Sequence, residues 1–340
     1  MKLRSISELK NFNTEQIREV IQRKEIFTKA MIFKETSLSM ATCANTINDM
    51  LENKEVIQVD RTELQIGRPA VKYTYNRDYL HVIGISIFNE HYKYTVKTVV
   101  TDALGIIRDH RYFDYEEFQY ADLIYLLQDE LKRDPLIQGI EIGVPGVINE
   151  GVLEKCDILS LTGLELGRML EEELGIEVEV KNDMEYMAYG AYHTKAKSRG
   201  NMAALYFPNG SKGIAGCGFV IEGKVLKGFS NFAGELYVIP EAFGVSRQKQ
   251  LSAWKNREDF LKYAAHMVLI VIASINPEEI IIMGSDVKDE ELPCIRKYCA
   301  SVVPKKHMVD IRIDHEYEKT YSKGLVQSAL NRLLFPVSEG

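Results

Sequence analysis

The sequence predicts an α/β protein in two parts, a small helical head followed by a larger bilobal body. Three observations carry this expectation. Charge divides near residue 80: the first 80 residues hold 13 Lys or Arg against 11 Asp or Glu, and the remainder 29 against 38. The head shows helical periodicity that closes in a strand–turn–strand, and the body shows two successive runs of three strands and a helix. With 340 residues, 46% hydrophobic and 27% charged, the chain has ordinary globular composition and enough apolar material for a core. Disordered, collagen-like and disulfide-dense classes are excluded.

The N-terminus, MKLRSISELKNFNTEQ, has no apolar stretch behind its basic residues, unlike a signal peptide. The longest apolar run, residues 267–275, is too short to span a bilayer. A cytoplasmic protein without membrane contact is expected. Its five cysteines, Cys43, Cys156, Cys217, Cys294 and Cys299, form no C-x-x-C pair and read as reduced thiols.

The head is expected to span residues 1–78. Its first helix reads as opening at Asn13 or Thr14 as N-cap, with Ile17, Val20 and Ile21 on one face. A second begins at Thr28, carries Ala30, Met31 and Ile32, and stops at Thr36-Ser37. After Leu38-Ser39 comes a third, with Ala41, Ala44, Ile47, Met50 and Leu51 inward, ending near Asn53. Helix, short turn, helix is the outline of a helix-turn-helix. The expected outward face holds Ser39, Met40, Thr42, Asn45 and Thr46, short and mostly polar groups near the end that enters a major groove. No carboxylate stands on that face before Asp49.

Residues 56–59 and 71–75 then read as a hairpin directly after the recognition helix, a wing. Arg68, between Gly67 and Pro69, sits on a stiff segment suited to placing a guanidinium on phosphate or in a minor groove. Operator DNA is the expected partner. The same pattern also suits a three-helix module used for protein contacts or dimerisation.

The body, residues 79–340, changes to strand patterning. Residues 81–88, 91–101 and 105–112 read as three strands, 123–131 as a helix and 139–144 as a strand running into Pro145-Gly146. Residues 178–180 form a short strand ending at Asn182-Asp183 before a helix from Met184. Residues 202–207, 216–222 and 223–227 repeat the three strands. Helix 257–274, strand 280–283 and a last helix over 321–334 follow. Two such units face each other across a cleft, dividing the body into lobes of about 79–180 and 181–340, with the last helix returning to the first lobe.

Several segments in this order resemble the ROK family of repressors, open reading frames and kinases. They are Ile142-Gly143-Val144-Pro145-Gly146, like the family's G-[IV]-P-G loop; Asn182-Asp183 at a strand end; Gly216-Cys217-Gly218 through Gly223-Lys224; Gly228; Ala233-Gly234-Glu235; and Asn276-Pro277. The resemblance covers nearly the whole chain. It implies an actin-like (ribonuclease H-like) ATPase/sugar kinase fold behind a winged helix-turn-helix, as in the family's repressor branch.

Kinase chemistry is expected to be lost. Asp183 stands where the family's catalytic Asp takes the proton of the sugar hydroxyl. The family's D-x-G-G-T phosphate turn, however, corresponds to Ser86-Ile87-Phe88-Asn89-Glu90, without its Asp or its glycines and with added bulk and negative charge. The second phosphate loop, residues 209–216, keeps glycines in shifted spacing, and the adenine-side turn at residues 283–286 has one glycine and an added Asp286. The family's G-E-x-G-H and cysteine cluster are absent around Glu235, so no structural zinc is expected, and His266 reads as a core histidine. No cofactor and no catalytic residue are expected.

What remains by resemblance is a ligand set of Gly146, Asn182, Asp183 and Glu235, suited to vicinal hydroxyls. The same residues also admit a bland role: Asn182 capping the helix at Met184, Asp183 favouring its dipole, Glu235 a surface acid. The expectation is a regulator, a repressor of carbohydrate metabolism, binding operator DNA as a homodimer or dimer of dimers and sensing a sugar or sugar phosphate. A sugar kinase, or a regulator with a vestigial pocket, are the alternatives.

Overall fold

The computed structural model describes residues 6–59, 70–90, 93–197, 200–208 and 214–336. The head consists of α1 (Ile6–Ile21), α2 (Lys29–Glu35) and α3 (Met40–Glu52), then an antiparallel hairpin of β1 (Val56–Val59) and β2 (Lys72–Tyr75). Thr28 and Ser39 supply the caps that polar residues give helix starts. Thr28 Oγ1 accepts from Met31 N at 3.2 Å, and Ser39 Oγ accepts from Thr42 N at 3.1 Å. Helix α1 begins earlier than expected. Thr14 is not its cap but lies inside it, with Oγ1 donating to Lys10 O at 3.0 Å, the i−4 bond open to a mid-helix threonine.

Helix α3 buries Cys43, Thr46, Ile47 and Met50. This corrects the expected phase: Ala41 is exposed, and Thr46 is only 6% exposed rather than outward. Positions 43, 46, 47 and 50 recur at three- and four-residue spacing, so Thr46 falls in the same stripe as Cys43 and Ile47.

The first sheet of the body contains β3 (His81–Glu90), β4 (Lys93–Asp102), β5 (Ile107–Tyr115), β6 (Ile137–Val144) and β9 (Glu177–Asn182). Helix α4 (Tyr120–Arg133) precedes β6, while a hairpin of β7 (Gly146–Asn149) and β8 (Val152–Cys156) and then α5 (Leu166–Leu174) lie between β6 and β9. Helix α6 (Asp183–Thr194) leads to the second sheet, made of β10 (Met202–Tyr206), β11 (Gly216–Ile221), β12 (Lys224–Val225), β13 (Glu279–Met283) and β14 (Asp310–Asp314). Helices α7 (Val238–Ala242), α8 (Arg247–Ser252), α9 (Arg257–Ile275) and α10 (Leu292–Ala300) belong to this half, and α11 (Tyr317–Leu334) ends the described chain. The hairpin β7–β8, β14 and helices α5, α7, α8 and α10 go beyond the elements expected from patterning.

Both sheets have one topology. Their orders are β5-β4-β3-β6-β9 and β12-β11-β10-β13-β14, three antiparallel strands joined to two parallel ones. Strand alternation sorts the core. On β10, Ala203 and Leu205 join β13's Ile280 and Ile282 under α9, while Met202, Ala204 and Tyr206 join Ile281 and Met283 under α6. On β3, Ile83, Ile85 and Ile87 face the α4 side, and Gly84 faces Leu325 of α11. Helix α6 packs on the second sheet, α11 packs across β3, β4 and β6, and the two helices pack on each other between the sheets. Helix α11 starts four residues before its expected start at 321. Its C-terminal half shares an apolar cluster with the head, in which Val326, Ala329, Leu330 and Leu334 join Ile17, Ile21, Ile47 and Met50.

Candidate functional site

A cavity of about 560 Å³ opens between the two lobes, lined from both. Its floor is the junction of β9 and α6. Asn182 Oδ1 caps α6 by accepting from Met184 N at 2.8 Å, and its Nδ2 donates to Gly146 O at 2.8 Å. The capping role and the cleft position therefore coincide in one side chain. Gly146 contributes backbone: a Cβ there would collide with Lys155 O across the β7–β8 ladder.

Asp183 Oδ1 also accepts from Met184 N at 2.8 Å, at the positive end of α6. Burial nevertheless pushes its carboxyl up to about 7, with the Asp157 and Glu235 charges adding to the rise and the Met184 amide opposing it. Glu235 is presented by Gly234, whose φ of +100° and contact with the Cys217 carbonyl leave no room for a side chain. Burial raises Glu235 as well, opposed by Lys155. The cavity wall thus includes Gly146, Asn182, Asp183 and Glu235 together.

Sequence reasoning missed four further groups. Lys155 Nζ, from β8 in the first lobe, donates to Tyr237 Oη of the second at 2.7 Å and lies 4.7 Å from its ring centre. The Arg247 guanidinium stands 5.6 Å from the same ring and 3.8 Å from Asp157. The Lys155–Tyr237 and Arg247–Asp157 contacts cross the cleft between residues some 80 to 90 positions apart, so no local pattern carries them. Lys155 and Asp157, polar groups just after the Pro145-Gly146 turn, were the available signal. Three carboxylates, one amide, two cations and an aromatic ring form a wall suited to a polyhydroxylated ligand.

Where the resemblance sets the family's phosphate turn, Ser86–Phe88 lie within β3, whose ladder with β4 runs to Glu90↔Lys93. Phe88 meets Tyr321 edge-on at 5.7 Å, against the cluster formed by Met184, Tyr206 and Met283. The side chains of Asn89 and Glu90, Arg68 with the wing tip, and loop residues 209–213 lie outside the described residues. Asp286 does not line the smaller cavity of about 300 Å³ beside Gly284; its Oδ2 accepts from Trp254 Nε1 at 2.5 Å. His266 corrects another expectation. It is exposed on α9, paired with Tyr298 Oη at 2.8 Å, because the neighbouring Ala264, Ala265, Met267 and Val268 take the inward positions. Among the described residues no group of three His, Cys, Asp or Glu is placed to hold a metal ion.

On the head, Ser39, Met40 and Asn45 are exposed and Thr42 is half-buried. Lys29 Nζ donates to Asn48 Oδ1 at 2.5 Å, Lys10 pairs with Asp49 at 2.8 Å, and Lys24 with Glu35 at 2.7 Å. Lys10 and Lys24 are thus already neutralised by carboxylates of the head, as is Arg18 by Glu55.

Residues 93–237 match the model of the ROK family. Over 239 residues, 67% of the chain, it is 27% identical to a putative xylose repressor of Caldicellulosiruptor sp. (strain Rt8B.4). It spans 58% of that relative's length. Among solved structures it is similar to a ROK family transcriptional regulator described as a homologue of the E. coli MLC protein, with a TM-score of 0.70 and 16% identity over 96% of this chain and 98% of the other. A ROK family glucokinase from Streptomyces griseus, solved with glucose and AMPPNP, matches 73% of this chain and 99% of its own at a TM-score of 0.57 and 13% identity. The match over 96% of the chain includes the head. The fold is thus a helical, hairpin-bearing head on an actin-like body, and the segment that matches the ROK family model contains the hairpin β7–β8, Asp183 and Glu235.

Proposed function

We propose that the chain is a sugar-responsive transcriptional regulator, a repressor of carbohydrate metabolism acting in the cytoplasm. In this reading residues 1–78 are a winged helix-turn-helix that binds operator DNA as part of a homodimer. Residues 79–340 are a degenerate ROK body whose cleft binds a sugar or sugar phosphate. The observation that carries it is the union, in one chain, of the capped helices α2 and α3 and their hairpin with a body in which residues 86–90, set by resemblance at the kinase phosphate turn, lie in β3 with Phe88 packed on Tyr321. The relative named a putative xylose repressor supports the same assignment and makes xylose the first ligand to try.

In the head, Ser39, Met40, Thr42 and Asn45 would meet DNA, with Arg68 on the wing; Thr46 supports the fold from inside. In the body, Asn182, Asp183 and Glu235 would hold ligand hydroxyls, with Gly146 setting the position of Asn182. The ligand shifts the population toward the arrangement it binds more tightly, and only that difference in affinity releases DNA. Thermal shift against xylose, glucose and their phosphates tests the cleft, since a ligand of the folded state raises Tm by mass action. No shift with any of them counts against a sugar-sensing body.

One observation favours a second reading, a sugar kinase. Asp183 stands on the cleft floor at the start of α6, and burial pushes its carboxyl up to about 7, which suits a general base. ATP turnover with a hexose panel, abolished in Asp183→Asn, would establish it; the replaced phosphate turn leads us to expect background turnover.

A further inference from the structure

We propose that α11 is the rod that couples the cleft to the DNA-reading helix, with Arg18 as the joint between body and head. The proposal deepens the regulator reading above and rests on it for its biological meaning.

The rod begins at the cleft. Tyr321, in the first half of α11, is 1% exposed, and its hydroxyl has no hydrogen-bond partner among the described residues. It stands against Gly143, where a side chain would collide with its ring, and against Phe88 of the cavity wall. Burial and the nearby Asp183 carboxylate hold its phenol well above the ordinary range. A change in the cleft floor therefore meets α11 directly.

The middle of the rod is locked to the helix that carries Asp183. Gly190 of α6 and Gly324 of α11 bring the two backbones together: a Cβ on Gly190 would fall 2.9 Å from Gly324 N, and one on Gly324 would fall 3.0 Å from Gly190 N. Such close backbone contact leaves little freedom for one helix to slide without the other. Polar contacts reinforce it. Asn331 donates to Tyr189 Oη, while Arg332 and Tyr186 both donate to the fully buried Glu141 of β6.

The far end enters the head. Beyond the shared apolar cluster, Arg18 of α1 donates to the Leu334 carbonyl and holds Glu55 through Nε at 2.5 Å and Nη2 at 3.0 Å. Arg18 and Glu55 side chains are 11% and 4% exposed, so this pair is screened little and is costly to break. Glu55 itself joins the recognition helix to the wing. Its N–H donates to Met50 O at 2.9 Å, and its carbonyl accepts from Asn76 N at 2.9 Å. One arginine thus ties the last turn of α11 to the point where α3 becomes the hairpin. A rigid helix held at both ends passes a displacement as a shift of the whole element, the physical basis of coupling between distant sites.

A second path crosses the body–head boundary near the covalent connection. Arg77 pairs with Asp102 at 2.6 Å, and Ala103 N donates to Arg77 O at 3.0 Å. The test must separate the two. Hydrogen exchange is measured on the full chain, with Asp183→Asn as the perturbation in the cleft, alone and combined with Arg18→Gln or Arg77→Gln. The expected result is that Asp183→Asn changes exchange by about threefold or more both in residues 326–334 and in residues 46–56. Adding Arg18→Gln abolishes the change in 46–56 and keeps that in 326–334; adding Arg77→Gln abolishes neither. Should Arg18→Gln lose protection throughout α1–α3, Arg18→Lys, which keeps the charge but not the fork of donors, is read in the same way. An unchanged 46–56 segment in Asp183→Asn, or a change that survives loss of the Arg18 fork, overturns the proposal. Because neither sugar nor DNA is added, failure to bind either would count against the functional reading and leave this result standing.

Discussion

Asn182 joins the end of β9 to the first turn of the β7–β8 hairpin, its amide donating to Gly146 O at 2.8 Å while its oxygen caps α6. Two structural duties fall on one side chain at the cleft floor. Asn182→Ala removes both, and the loss of a cap and a half-buried hydrogen bond costs about 1–2 kcal/mol. Chemical denaturation reads this as a lower midpoint with unchanged slope, and amide exchange in residues 146–156 should quicken. An unchanged midpoint would mean that neither bond matters in solution.

Asp183 makes stability depend on pH in a direction that can be stated. Its carboxyl titrates at about 7 in the fold against an ordinary value of 3.8. Between these values the folded chain holds the proton that the unfolded chain has released, so this group's contribution falls as pH rises through that window. Asp183→Asn should therefore melt above the parent at pH 8, by about 2 °C or more, with the advantage gone near pH 4. A deficit at pH 8 would show that the carboxylate is satisfied in the fold.

The two neighbours Asn45 and Thr46 separate the surface of α3 from its core. Asn45 is exposed and Thr46 is buried. Asn45→Ala should weaken operator binding by about 1–3 kcal/mol. Thr46→Val, close in volume and inside the fold, should leave operator affinity unchanged in a retardation assay. The opposite ranking would place the reading face elsewhere on α3.

Lys10 is held by Asp49 of α3 at 2.8 Å. Asp49→Asn frees that cation and removes a carboxylate from a face that would meet phosphate. Affinity for duplex DNA should rise, and the slope of log affinity against log salt should steepen by up to about one unit. No change in slope would place Lys10 away from DNA.

Most of the fold was legible because its elements are locally consistent. Thr28 and Ser39 announce their helices, and the continuous apolar run from Met202 to Tyr206 announces a strand buried on both faces. The α1 start was misplaced because Asn13 and Thr14 resemble caps while Thr14 bonds backward to Lys10. Polarity alone puts Thr46 outward, whereas the spacing it shares with Cys43 and Ile47 puts it in the core. In the cleft, Asn182, Asp183 and Glu235 were legible from a motif set, whereas Lys155, Tyr237 and Arg247 acquire their roles only when the lobes meet. The Arg18–Leu334 contact spans almost the entire chain and has no local signature at all.

The central claim, a DNA-binding head governed by a sugar-binding cleft, is tested most directly by one titration. The full chain is used to select a site from a random duplex library, and binding to the selected site is measured with xylose, and then glucose, added. Selection of one motif with two-fold symmetry, bound tightly and released at least about tenfold by one sugar, is the predicted result. Failure to enrich any site, or an affinity that no sugar alters while thermal shift shows that sugar bound, would contradict it.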